Sequence, residues 1–400
     1  MTYDLVVIGG GAAGFFGAIR YAERHPQNRV LILEKGTRIL DKVRVSGGGR
    51  CNVTHACFDP KELVEFYPRG KKEMLGPFTR FACGDMMAWL DERHVPTHIE
   101  EDGRVFPESN QSASIINVFA ENARLLGIEV KIQEGVVDLL REEGSWDVQS
   151  SQHNYKTRQL LVAAGGTPSV WKLLEKLDIP IIPPVPSLFT FKINHPLLKD
   201  MAGTSVPDGS VIIRDEKLEA EGPILITHWG LSGPGILKIS AWGARALNAK
   251  SYHFTAEVNW LNLDKSDVLD WIDGVRLGSG SSKCSNSSPQ GITKRFWQRM
   301  VEWLGLSELN WADLNQKQIE SLTDCLCACK FEVNGKSTHK EEFVTSGGVR
   351  LDAVNFKTME VKQHPNLYLA GEVLDIDALT GGFNFQAAWT TSWIAAESMD

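Results

Sequence analysis

The chain has 400 residues, 42% of them apolar, with 42 basic against 50 acidic side chains and a formal net charge of −8. That length supports two or three domains with a sizeable core, and the acidic balance, with a pI near 5.8, excludes a protein that coats nucleic acid indiscriminately. No apolar run approaches the length of a membrane helix, and seven cysteines without framework spacing fit a reducing compartment, so a cytoplasmic protein with no membrane partner is expected.

The first predicted element is a strand, Leu5 to Ile8, running into Gly9-Gly10-Gly11-Ala12-Ala13-Gly14 and then a helix to about Glu23. This is a dinucleotide-binding fingerprint. Gly9 permits the tight turn, Gly11 lets the backbone approach a pyrophosphate, and Gly14 lets the helix pack on the strand. The diphosphate sits where the amides of Ala12 and Ala13 open the helix and its dipole favours negative charge. Glu34 closes the next strand, Val30 to Leu33, where a carboxylate accepts both ribose hydroxyls.

Periodicity then predicts helices around 60–94 and 112–126, strands near 128–140 and 146–150, and a strong strand at 159–164 ending in Ala164-Gly165. Such alternation marks an open α/β sheet with crossover connections. Four prolines among Pro180, Pro183, Pro184 and Pro186 make a stiff extended connector, placed here as a domain boundary.

From 188 to 262 the pattern becomes short strand-like runs, including Leu188 to Ile193, Ser210 to Ile213 and Tyr252 to Val258, which predicts a small β-barrel insert. Residues 264–322 look helical, interrupted by the Gly/Ser-rich stretch between Gly278 and Ser288, read as a mobile loop. Within residues 274–301, Arg276, Lys283, Lys294, Arg295 and Arg299 occur without an acid and beside Phe296 and Trp297. A solvated helix face explains this; a contact in which the rings stack on RNA bases is the sharper alternative. Cys325, Cys327 and Cys329 alternate as a strand does, and no metal site is expected from them.

The last sixty residues return to the first domain. A strand from Asn366 ends in Gly371-Glu372, and Gly381-Gly382-Phe383-Asn384-Phe385-Gln386 opens a final helix. A carboxylate at Glu372 reaches a ribityl chain, while the helix directs its first amides at a flavin pyrimidine, where reduction places negative charge. A nicotinamide domain is not expected, because no second Gly-x-Gly-x-x-Gly occurs.

One further segment is specific: Lys42-Val43-Arg44-Val45-Ser46-Gly47-Gly48-Gly49-Arg50-Cys51-Asn52. Together with Thr227-His228-Trp229-Gly230-Leu231-Ser232-Gly233-Pro234, Thr345-Ser346-Gly347-Gly348-Val349 and Gly371-Glu372-Val373-Leu374-Asp375, it makes nearly the whole chain resemble the YhiN/BaiN-like family of bacterial FAD proteins. The resemblance implies a Rossmann-like FAD domain of two-dinucleotide-binding type (residues 1–186 and 345–400). It also implies an inserted β-barrel (187–262 and 325–344) that carries a helical insert (263–324). A departure is the short link Thr167-Pro168-Ser169 after Gly166, where the family usually has a longer Gly-rich stretch.

The expected FAD contacts extend beyond the fingerprint to Lys35, Lys42, Arg50, Cys51, Val136, Ala164, Gly165, Gly371, Glu372, Asp375, Gly382, Phe383 and Asn384; cations in the 42–52 loop stabilise phosphate or reduced flavin, and Cys51 there equally reads as a packing residue. Ser46, Gly48, Gly49 and Asn52 join them as small residues with free amides. Family members look like reductases of conjugated double bonds, with NAD(P)H as electron donor. The C-terminal motif looks like the branch that converts a uridine of 23S ribosomal RNA to dihydrouridine. Such chemistry needs a hydride from flavin N5, a proton, and a donor at the carbonyl where charge gathers.

His228 is the first candidate for that donor, and equally reads as a cap on its own turn. Cys51 is a candidate proton donor if Arg50 and Lys42 depress its thiol, and Arg50 itself is a candidate at the catalytic centre. Three functions follow: a ribosomal RNA uridine reductase, a reductase of a small unsaturated substrate, and a non-catalytic flavin protein.

Overall fold

The computed structural model describes residues 1–142, 144–337 and 344–400. The chain divides into two compact units, Met1–Val185 with Val344–Asp400, and Pro186–Phe343.

The first unit is built on a mostly parallel sheet. Its parallel strands Thr2–Ile8, Val30–Leu33, Glu129–Lys131, Asn154–Val162 and Leu367–Leu369 lie with Thr2–Ile8 between Val30–Leu33 and Asn154–Val162, and Leu367–Leu369 beyond the latter. Strands buried on both faces read as continuous Val/Ile/Leu runs, which is why this sheet was visible in the sequence. Helices Ala12–Arg24 and Phe383–Ser398 pack together over it. A β-carbon on Gly17 would lie 2.7 Å from Leu161 Cδ2 and 3.3 Å from Ser392 Cβ, so that glycine sets the close helix–sheet approach.

The expected helix over 60–94 is three helices, Pro60–Leu63, Lys71–Phe78 and Cys83–Asp91. Gly70, left-handed at φ +85°, starts the second of these. The expected strand over 128–140 breaks into Glu129–Lys131 and Val136–Glu142, with Gln133 left-handed between them at φ +56°. The proline segment is extended, as Ile181–Ser187, and pairs with Val344–Val349. Gly347 makes that pairing possible, because a β-carbon there would sit 2.6 Å from Pro184 Cα.

The second unit contains a closed six-stranded barrel in the order Thr190–Ile193, Gly230–Ser232, Leu218–Ile226, Ser205–Ile213, His253–Asn259, Cys329–Ser337. Residues 338–343 of the expected barrel segment lie outside the described residues. Phe191, Val211, Ile224 and Phe331 of the barrel share one core with Trp260, Ile272, Trp297 and Leu322 of the helical region. Two helices, Pro234–Trp242 and Ala244–Ala249, escaped the strand-like reading of 188–262. Their apolar residues look strand-like, but Pro234 stands at the first helical position, where its fixed φ suits a helix.

Three expectations for this unit are corrected. Cys325 and Cys327 end the helix Gln316–Cys327, and only Cys329 is in a strand. The Gly/Ser-rich stretch is not all loop: the helix Lys265–Ser279 runs into it, and Cys284 is buried, its N–H bonded to Leu309 O at 2.9 Å and its carbonyl accepting from Trp297 Nε1 at 2.7 Å. Phe296 and Trp297 cannot stack on RNA bases, because both are fully buried on the inner face of the helix Lys294–Trp303. Of the accompanying cations, Lys283 pairs with Glu308, Arg276 with Asp273 and Arg299 with Glu302, while Arg295 donates to Asp200 O.

Candidate functional site

The N-terminal fingerprint folds as its spacing requires. Gly9 takes φ +111° and a β-carbon there would lie 2.6 Å from Ala163 O; one on Gly14 would lie 1.9 Å from Gly9 O. At Gly11, by contrast, a β-carbon would meet nothing within 4 Å, so the space in front of the helix start is left clear. Glu34 accepts one amide on each oxygen, from Gly10 at 2.8 Å and Gly36 at 2.5 Å. Each oxygen keeps a further lone pair for a ribose hydroxyl. The adjoining edge is closed by Glu134 N bonding Glu34 O at 2.9 Å, which places Lys35 against Gly135, next to Val136.

The loop 41–52 brings the next group. Gly48 and Gly49 are left-handed at φ +67° and +86°, again with no atom within 4 Å of a β-carbon. Ser46 Oγ donates to Val43 O at 2.9 Å, which fixes the turn. Asn52 is buried, and its Oδ1 has no partner among the described residues. An unsatisfied buried carbonyl beside two open left-handed glycines is a cradle for a polar group that approaches the main chain.

Lys42 pairs with Glu372. That carboxylate lies 3.5 Å from the β-carbon position of Gly165, and the Gly371 position lies 3.1 Å from Ala13 Cβ. The fingerprint, the 41–52 loop, the end of the strand at Ala164-Gly165 and the Gly371-Glu372 element therefore converge at one place. Asp375 is buried beside them, its N–H bonded to Val349 O at 3.0 Å. Across the short link, Thr167 Oγ1 donates to Ala164 O at 2.6 Å and Trp171 Nε1 to Val373 O at 3.0 Å.

The start of the last helix is tightly fixed. A β-carbon on Gly382 would lie 2.5 Å from Thr54 O, and Thr54 Oγ1 donates to Gln386 Oε1 at 2.6 Å. Phe383 is buried and stacks on Phe66 at 4.2 Å and on His55 at 4.4 Å; its carbonyl accepts from Tyr67 OH at 2.5 Å. The Asn384 side chain is spent on Ala378, exchanging bonds at 3.0 and 3.1 Å. Phe383 and Asn384 thus offer a ligand their main-chain amides.

Thr54, His55, Tyr67 and the buried ion pair of Arg69 with Asp377 support this end of the site and were not foreseen. Adjacency of Thr54-His55 to the Arg50-Cys51-Asn52 motif was the only signal in the sequence. His55 Nδ1 lies 3.2 Å from Gly381 O, and burial lowers its pKa against the opposing pull of that bond.

The expected catalytic residues fall in two different units. Cys51 is fully buried at φ +63°, and burial pushes its thiol up to about 12, the reverse of the depression expected from neighbouring cations. The cations are engaged elsewhere: Lys42 with Glu372, and Arg50 with Glu100 at 2.6 Å and over the Phe106 ring at 3.9 Å. His228 belongs to the second unit, exposed in the turn between the strands ending at Ile226 and beginning at Gly230. It does not cap that turn. Thr227 does so, accepting from Trp229 N at 3.2 Å and donating to Gly230 O at 3.2 Å, and the His228 imidazole has no hydrogen bond or ion pair among the described residues.

Residues 3–398 match the family described as HI0933-like protein Rossmann domain. The ribosomal RNA dihydrouridine synthase of Escherichia coli K12 is 26% identical, covering 99% of this chain and 98% of that one. The 3-dehydro-bile acid delta(4,6)-reductase of Clostridium scindens is 27% identical, with 98% of each covered. Among solved structures, the 3-ketosteroid-delta4-(5alpha)-dehydrogenase of Rhodococcus jostii RHA1 shares the fold, with a TM-score of 0.51 at 10% identity over 99% of this chain and 97% of that one. These matches bear out the expected flavoprotein family and the α/β fold with its inserted barrel.

Proposed function

Because the chain belongs to the HI0933-like protein Rossmann domain family, we propose that it reduces a uridine of 23S ribosomal RNA to dihydrouridine, with NAD(P)H as the electron source. The chain is a flavin-dependent oxidoreductase; the substrate and the donor are the proposal. The observation that carries it is the end-to-end similarity to a ribosomal RNA dihydrouridine synthase, over 99% of this chain and 98% of that one.

The residues present fit FAD. Glu34 would hold the adenosine ribose, the amides behind Gly11 the pyrophosphate, Glu372 the ribityl chain, and the first amides of Phe383–Ser398 the pyrimidine edge. When bound and reduced by the nicotinamide, the flavin would supply the hydride. Overall, one uridine ring, one reduced nicotinamide and one proton give dihydrouridine and oxidised nicotinamide.

His228 is assigned as the donor to the substrate carbonyl, where negative charge gathers as the ring is reduced. An exposed imidazole without an internal partner is available for that bond. Cys51 and Arg50 are assigned to holding the loop 41–52, since a thiol at about 12 is a poor acid near neutrality.

A second reading, reduction of a small enone, is favoured by the similarity to the bile acid reductase. Incubating FAD-loaded protein with reduced nicotinamide and an unmodified 23S rRNA transcript, then digesting to nucleosides, distinguishes the two. Dihydrouridine in the digest supports the RNA reading, and its absence alongside turnover of an enone such as cyclohexenone supports the other.

A further inference from the structure

Trp229 is 51% exposed, whereas Trp146, Trp260, Trp297, Trp311 and Trp389 are among the fully buried side chains. Its backbone is nevertheless firmly held. Thr227 N donates to Gly230 O at 2.8 Å, Trp229 N donates to Thr227 Oγ1 at 3.2 Å, and Trp229 O accepts from Ile193 N at 2.9 Å. Gly230, at φ +142°, locks the turn against the neighbouring strand: a β-carbon there would lie 2.3 Å from Phe191 O. A large indole is thus kept in water on a fixed hairpin, at a cost that contact with a ligand recovers.

The surroundings suit a nucleic acid ligand. His228 precedes the indole and is exposed, and exposed Lys192 pairs in register with Gly230. The two segments 190–196 and 227–234 carry one lysine and two histidines and no acid, in a protein whose net charge is −8. An exposed π face with a hydrogen-bond donor next to it in the chain, on segments free of acids, is an arrangement by which proteins grip an unpaired base.

We infer that Trp229 is the stacking platform for the pyrimidine ring of the RNA substrate, holding the ring flat beside His228. The inference rests on the RNA reading above. It adds a residue that sets specificity for planar rings, separate from those that hold FAD.

The test compares Trp229→Ala, Trp229→Phe and, as a control, Trp242→Ala, which alters another exposed tryptophan of the same unit. FAD content and thermal unfolding first establish that each variant is folded. With a uridine-containing 23S rRNA stem-loop, Trp229→Ala raises KM on the order of 10- to 100-fold, the range that loss of one base stack gives. Trp229→Phe recovers most of that loss, and Trp242→Ala matches wild type. An unaltered KM in Trp229→Ala, with wild type active, overturns the platform and leaves the RNA reading intact. If wild type does not reduce the stem-loop, the RNA reading fails, and titration with uridine monophosphate decides the platform alone. Fluorescence quenching present in wild type and lost in Trp229→Phe supports it; equal quenching in both overturns it.

Discussion

Lys42 and Glu372, 330 residues apart in the chain, form an ion pair that joins the 41–52 loop to the strand end at Gly371. Lys42 is largely exposed and Glu372 partly so, so the pair adds little to folding. In the proposed FAD site its role is to set the Glu372 carboxylate. Glu372→Gln should therefore leave the melting temperature of the flavin-free protein nearly unchanged and weaken FAD binding about tenfold, the loss of one charge-assisted hydrogen bond. Flavin titration followed by fluorescence measures both quantities on one sample.

Two glycines of the fingerprint should fail in opposite ways. Gly14→Ala drives a β-carbon into Gly9 O and should cost more than about 3 kcal/mol of stability, seen in urea unfolding. Gly11→Ala meets no protein atom, so the flavin-free fold should persist while FAD is lost, because the methyl would take the space proposed for the pyrophosphate.

His228→Ala should lower kcat on the order of 100-fold, as loss of a positioned donor does, with FAD content unchanged. Steady-state kinetics beside the absorbance spectrum check this. A variant that keeps full kcat removes His228 from the reaction.

Cys51 gives a prediction in pH. Its thiol is raised from 9.0 to about 12 by burial, so the folded state keeps a proton that the unfolded chain releases. The unfolded state then binds fewer protons above pH 9, and stability falls as pH rises from about 9 towards 12. Cys51→Ala should flatten that slope and retain kcat. A large loss of kcat would return Cys51 to the chemistry.

Trp297→Ala should destabilise the second unit by about 3–5 kcal/mol, since the ring is fully buried, stacks on Trp311 at 6.1 Å and donates to Cys284 O. Thermal unfolding reports it directly.

The local fold of the proposed cofactor site was legible where chemistry demands a local pattern. Gly9, Gly11, Gly14 and Glu34 carry backbone requirements that only certain residues meet at fixed spacing, and the strands around them are buried on both faces. His55, Tyr67 and the Arg69–Asp377 pair were not legible, because each acts through partners about 300 residues away. Phe296 and Trp297, with Met300 and Val301, form the buried stripe of an amphipathic helix and the cations lie off that stripe, which agrees with a solvated basic face and removes only the RNA-stacking alternative. Cys51 is fully buried, as its packing reading requires and its proton-donor reading does not, and Arg50 and Lys42 spend their charges on Glu100 and Glu372.

The central claim is tested most directly by nucleoside mass spectrometry of 23S rRNA from the source bacterium with and without this gene. The account predicts that dihydrouridine disappears from the deletion strain and returns with the wild-type gene but not with His228→Ala. Dihydrouridine at the same level in both strains would contradict it.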